Sequence, residues 1–303
     1  MKKLIILTFS VLLNFCLSDV WGQSNALDSL IFGKNLKVLE GTIPTYYSAS
    51  CSERAKTEHS LLQELAGIYA ENGENVFKLK LAVLDSADWT GKVLPFPYGF
   101  FFNHNGWIVI PGDYDYQKFM RMFGYYPYRD EINKELKKVS GNYESLLTES
   151  LYKYVMVHEL GHIYTQTILK AYTPDPWTSE IMASYFAIDF LQKTDQKAVK
   201  VVDISTSIFS KEYVPKYRSL FDFNTNYANV GLENYCWYHA MFQPMINEIY
   251  AKYKTGFLEI YATRFPQTPD AKKPTQEELL KILDELTAGI TTKWVQIMEG
   301  NFK

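Results

Sequence analysis

The sequence predicts an α+β protein, a sheet-bearing N-terminal lobe followed by a mostly helical C-terminal lobe. Three observations carry that expectation. Short apolar or alternating runs fill the first third of the chain, an Asn-Gly pair separates two of them, and from about residue 143 the apolar period becomes helical.

Residues 36–48, LKVLEGTIPTYYS, read as a strand or hairpin, β-branched and aromatic around a glycine. Residues 52–71 then place Leu61, Leu62, Leu65, Ile68 and Tyr69 on one stripe behind a Ser N-cap, which predicts a helix with one buried face. Residues 75–89, NVFKLKLAVLDSADW, alternate in their first half and read as a strand. Within residues 98–114, two apolar runs meet at Asn103-His104-Asn105-Gly106, a hairpin signal, since Asn-Gly favours the tight turn. The expected result is a mixed sheet backed by a helix.

Helical patterns follow. Residues 143–172 predict one long helix, apolar on most faces and hence central. A second opens at Pro176, with Asp175 or Thr178 as its cap. A third spans residues 231–253, with Pro244 as a kink or break, and a fourth follows Pro274.

Composition narrows the function classes. The chain has 303 residues, 47% hydrophobic and 16% aromatic, enough for a sizeable core and unlike a disordered segment. Its opening, MKKLIILTFSVLLNFCLSDVWGQS, reads as a signal peptide ending at Gly22, with Ser18 as the alternative end, and with Lys2 and Lys3 before an apolar run too short for a membrane span. The expected location is therefore exported: periplasmic, cell-surface or secreted. Basic residues are scattered and the net charge is −3, so nucleic acid is not an expected partner, nor is a stable membrane span once the leader is cleaved. Beyond the leader stand Cys51 and Cys236, which an exported protein can either pair or bury separately.

The chemistry concentrates in YVMVHELGHIYTQTIL, residues 154–169. Residues four apart lie one turn apart on one helix face, so His158 and His162 can address one ion. Glu159 lies about 100° around the helix and can address a water on that ion instead. Two imidazole ligands plus a carboxylate base is the mechanical content of His-Glu-x-x-His. Polar groups in so apolar a helix call for a shared partner, and one Zn²⁺ ion is that expectation.

A catalytic zinc needs a third protein ligand. A continuation with Gly at 165 and His at 168 is excluded by Thr165 and Ile168. Glu180, expected in the first turn of the next helix, is the preferred ligand, and Asp175 on the preceding loop is its rival.

At these residues the chain resembles a family. His158-Glu159-Leu160-Gly161-His162 followed by Glu180-Ile181-Met182-Ala183 looks like the gluzincins, zinc metallopeptidases whose third ligand is a Glu on the following helix. The likeness extends weakly over residues 42–262 to the thermolysin-like, peptidase MA-like group. It implies a zincin-like fold: residues 23–192 as the lobe carrying both motif helices, and 193–303 as a helical lobe of the same catalytic unit. In the thermolysin branch an Asp four residues after the third ligand holds a ligand histidine. Here Ser184 stands there, leaving an outer carboxylate to come from elsewhere, such as Asp189, or to be absent.

The resemblance implies hydrolysis of peptide bonds, with Glu159 as general base and a Tyr or His of the C-terminal lobe beside the oxyanion. Tyr235, Tyr238 and His239 share a helical face, Tyr235 being the first choice for that donor and His239 the second. A peptide or protein is the expected substrate, held along Trp107–Ile110 or Phe100–Phe102 as a sheet edge. No exopeptidase anchor is recognisable, which points towards endopeptidase action. Two alternatives stand beside this reading: a catalytically silent zinc-binding peptide or envelope module, and a zinc hydrolase of a non-peptide amide or ester.

Overall fold

The computed structural model describes residue 31 and residues 35–69, 78–89, 98–104, 106–113, 115–268 and 272–300. The expected leader and Asn105 at the hairpin tip lie outside these residues. The architecture is α+β, in two compact units, residues 1–114 and 115–303.

The first unit holds a five-stranded sheet. Its described elements are β1 (Lys37–Leu39), β2 (Thr45–Tyr47), α1 (Ser52–Tyr69), β3 (Lys80–Leu84), the short α2 (Ser86–Trp89), β4 (Phe102–His104) and β5 (Trp107–Pro111). The strand order is β1-β2-β3-β5-β4. β2 and β3 pair in parallel, as do β3 and β5, while β1 and β4 close the edges antiparallel. The parallel step from β2 to β3 needs a crossover, and α1 supplies it, packing Leu61, Leu62 and Leu65 inward. Leu81–Leu84 and all of β5 are buried, as central parallel strands require.

The hairpin therefore forms as expected, but Trp107–Ile110 is an interior strand between β3 and β4. Of the two hairpin strands only β4 lies at an edge, so of the two candidate peptide-holding strands β5 is excluded by its pairing on both sides. Gly106 closes the turn at φ +78°, a left-handed conformation that suits glycine.

The second unit is helical among its described residues. In order it contains α3 (Tyr116–Met122), α4 (Arg129–Lys137), α5 (Tyr143–Ile163), α6 (Pro176–Thr194), α7 (Gln196–Glu212), α8 (Leu220–Asn226), α9 (Leu232–Tyr253), α10 (Gly256–Arg264), α11 (Gln276–Thr287) and α12 (Ile290–Glu299). α5 packs on α6 and α7, and α9 packs on α6, α7 and α12. In this partition the two motif helices group with the helices that follow them. No helix of the described residues is long and apolar enough to cross a membrane.

Two expectations about these helices are refined, and the open question of the two cysteines is answered. The helix expected over 143–172 ends as an α-helix at Ile163, and Tyr164–Ile168 form a wider π turn closed by the Leu169 N–H on the Tyr164 carbonyl at 3.0 Å. Pro244 does not break α9, although it leaves the Ala240 carbonyl without its intrahelical donor. Cys51 and Cys236 are both buried free thiols, so neither takes part in a disulfide.

The contact that most constrains the second unit lies between α5 and α6. A Cβ placed on Gly161 would stand 2.6 Å from the Ala183 carbonyl oxygen and 2.7 Å from the Ala183 Cα. Those are backbone atoms and cannot swing aside. Gly161→Ala is therefore expected to destabilise the protein by about 1–3 kcal/mol, the usual cost of overpacking. The gain of about 1 kcal/mol that alanine brings to an ordinary helix interior would not offset it. Chemical denaturation checks this: a variant as stable as the parent would show that the helices can part without cost.

Candidate metal centre

α5 carries His158 and His162 one turn apart, and α6 carries Glu180 and Ser184 one turn apart. α6 begins at Pro176, where the missing N–H costs nothing. The Thr178 hydroxyl accepts from the Asp175 N–H at 3.2 Å and donates to the Asp175 carbonyl at 2.7 Å. This start places Glu180 beyond the first turn, so the helix dipole is not what holds it there. Asp175, the rival ligand, pairs instead with Lys273 at 2.6 Å.

The ligand atoms of His158, His162 and Glu180 lie within 4.8 Å of one another, the one such group of three or more among the described residues. His158 Nε2 is 3.1 Å from Glu180 Oε2 and 3.2 Å from His162 Nε2, and His162 Nε2 is 3.6 Å from the same oxygen. Four donors set tetrahedrally at roughly 2.0–2.1 Å from an ion lie about 3.3–3.4 Å apart. The three observed separations fit three vertices of such a figure.

The outer contacts explain how the rings are aimed. His158 Nδ1 lies 3.1 Å from Ser184 Oγ, and His162 Nδ1 lies 3.1 Å from Ser179 Oγ. In the tautomer that donates through Nδ1, both Nε2 lone pairs face each other and a carboxylate, an arrangement that a cation between them reconciles. Ser184 also hydrogen-bonds half-buried Tyr154, whose phenol desolvation pushes up to about 12. The missing outer carboxylate is thus replaced at the same position by a hydroxyl. Asp189 is not its source: it binds Lys193 at 2.8 Å and Thr255 at 2.9 Å.

Without a metal, the cluster manages its charge through protons. Burial disfavours ionised Glu180, yet the charge on His162 and hydrogen bonds from His158 and His162 hold its carboxyl well below the usual range. Burial likewise disfavours protonated His162, but the charge and hydrogen bond of Glu180, aided by Glu159, raise its pKa. Glu159 is half-buried, and its charge also acts on Tyr235.

α9 supplies the remaining neighbours. His239 Nε2 is 3.4 Å from Glu180 Oε2, without hydrogen-bond geometry, and has no hydrogen-bond partner among the described residues. Burial lowers its pKa to about 4. His239 falls outside the three-ligand group. The Tyr235 ring lies 4.5 Å from the His239 ring, and burial followed by the charge of Glu180 pushes its phenol well up, so it stays protonated. Tyr238 turns away, donating its hydroxyl to the Ser219 carbonyl at 2.9 Å. Three contributors were not signalled as such by the sequence: Ser179 and Ser184 behind the histidines, and Tyr227, whose hydroxyl donates to Glu180 Oε1.

No protein-family model matches the chain, and no curated protein or solved structure matches it.

The opposed shifts set a pH response for the metal-free protein. His239, depressed to about 4, leaves the unfolded state binding the extra proton between about 4 and 6.5, so its contribution to stability falls as pH drops through that window. His162 is raised, so its contribution is present below 6.5 and is lost as pH rises through its folded value. In the chelator-treated protein, His239→Phe is expected to flatten the acid limb of a stability–pH curve and His162→Phe the alkaline limb. Urea melts across pH 4–8 read this directly, and parallel curves for parent and His239→Phe would refute it.

Proposed function

We propose that the protein is an exported zinc-dependent metallopeptidase of the gluzincin kind, hydrolysing peptide bonds in peptide or protein substrates. The observation that carries this reading is the convergence of two imidazole nitrogens and one carboxylate oxygen at tetrahedral spacing, with Glu159 adjacent to the first histidine. The donor set, two neutral nitrogens and one oxygen, suits zinc and leaves a position for substrate or water.

His158, His162 and Glu180 would hold the ion, which supplies Lewis acidity, polarising a carbonyl and lowering the pKa of water towards about 7. Glu159 takes the proton of the attacking water and passes it to the departing amine. Tyr235, protonated at neutral pH, and His239, neutral there, are the two N–H or O–H donors of α9 available to the developing oxyanion. Tyr235 remains the first choice, and the unsatisfied Nε2 of His239 strengthens the second. Endopeptidase action is part of the proposal.

Glu159→Gln should lower turnover of a quenched peptide library by roughly 10²–10⁴-fold while leaving metal content unchanged. Glu180→Ala should lose the metal, and a chelator should silence the parent reversibly on zinc return. Zinc bound at one equivalent without any cleavage, identical in parent and Glu159→Gln, would favour the silent binding module instead. Cleavage of amides or esters other than peptides would favour the third reading.

A further inference from the structure

The two oxygens of Glu180 are held by different groups. Oε2 faces His158, His162 and His239 at 3.1, 3.6 and 3.4 Å. Oε1 points the other way and accepts the Tyr227 hydroxyl. Tyr227 opens the 3-10 turn Tyr227–Asn229 between α8 and α9, and only 7% of it is exposed. Its ring is set edge-on to Phe223 at 5.1 Å and to Tyr235 at 6.0 Å, which restricts where the hydroxyl can point.

We propose that Tyr227 is a positioning residue that commits Glu180 to bind metal through Oε2 alone. The inference rests on the proposed metal site. A carboxylate that binds through both oxygens takes two coordination positions, and with two histidines present it would crowd the position left for water. A hydrogen bond to a charged oxygen is among the stronger kind, and burial removes the competing water. With Oε1 engaged by the phenol, turning it towards the ion means breaking that bond in a dry site. Tyr227 thus shapes the site without touching the ion.

Tyr227→Phe keeps the ring packing and removes only the hydroxyl. Parent and variant, stripped and reloaded with one equivalent of zinc or cobalt, give the test. The variant should still bind one ion, with zinc affinity in chelator competition reduced by roughly 10–100-fold, as expected for loss of an outer hydrogen bond. Its cobalt form should show weaker visible bands than the parent, the mark of a coordination number rising above four. A variant with parental affinity and parental cobalt bands overturns the role of Tyr227 and leaves the metal site standing. A parent that binds no ion overturns the metal site itself. If Tyr227→Phe does not fold, X-ray absorption on zinc-loaded parent decides: four nitrogen or oxygen ligands support the inference, and a fifth from a two-oxygen carboxylate overturns it.

Discussion

The close approach of α5 and α6 at Gly161 governs the site. Gly161 lies between His158 and His162, and the Ala183 backbone it touches lies between Glu180 and Ser184. The four side chains that meet around His158 are therefore set symmetrically about one backbone contact. Glycine inside a helix costs roughly 0.5–1 kcal/mol relative to alanine. Here that cost permits an approach that brings Oε2 within 3.1 Å of an imidazole nitrogen. A side chain at 161 would widen the gap, and none of the later features could form.

With the helices so close, electrostatics becomes the second constraint. Glu180 and His158 are buried, and His162 and His239 are largely shielded; burial disfavours the charged forms of Glu180, His162 and His239, and the pairing of Glu180 with His162 outweighs it for those two but not for His239. The histidines are backed by Ser179 and Ser184, hydroxyls that orient the rings without adding charge. A dication held by one carboxylate and two neutral rings would keep a net positive charge. An outer carboxylate would partly cancel it. Neutral hydroxyls behind the rings would thus favour a strong Lewis acid over the tightest grip, were an ion held there as proposed.

Much of this was legible in sequence because the responsible spacings are local. The β2–α1–β3 crossover and the β4–β5 hairpin follow from apolar runs and an Asn-Gly turn, and His158 and His162 follow from helix period alone. α7 was harder to read: Val199, Val201, Val202, Ile204 and Thr206 are β-branched, and the helix owes its form to burial against α5 and α9 rather than to intrinsic preference. The π turn after Ile163 has no local marker either. Ser184 could be located as a departure from the family pattern, but not as the group on His158, since that depends on how α6 crosses α5. Tyr227 stands 47 residues after Glu180 in a chain with 23 tyrosines, so no spacing singles it out.

His239 bears on the choice between a working hydrolase and a silent zinc module. Its Nε2 is buried without a hydrogen-bond partner among the described residues, and a buried polar atom left in that state costs about 1–3 kcal/mol. Burial also holds its pKa near 4, so at neutral pH the ring is uncharged and relieves nothing by pairing with Glu180 as an ion. A site serving only to staple the fold would gain stability by filling this position with an apolar residue or by bringing the ring in as a fourth ligand. Neither has happened: His239 stands beside the three-ligand group and outside it. In the proposed hydrolytic reading, an oxygen gaining negative charge in the reaction would be a partner for this ring.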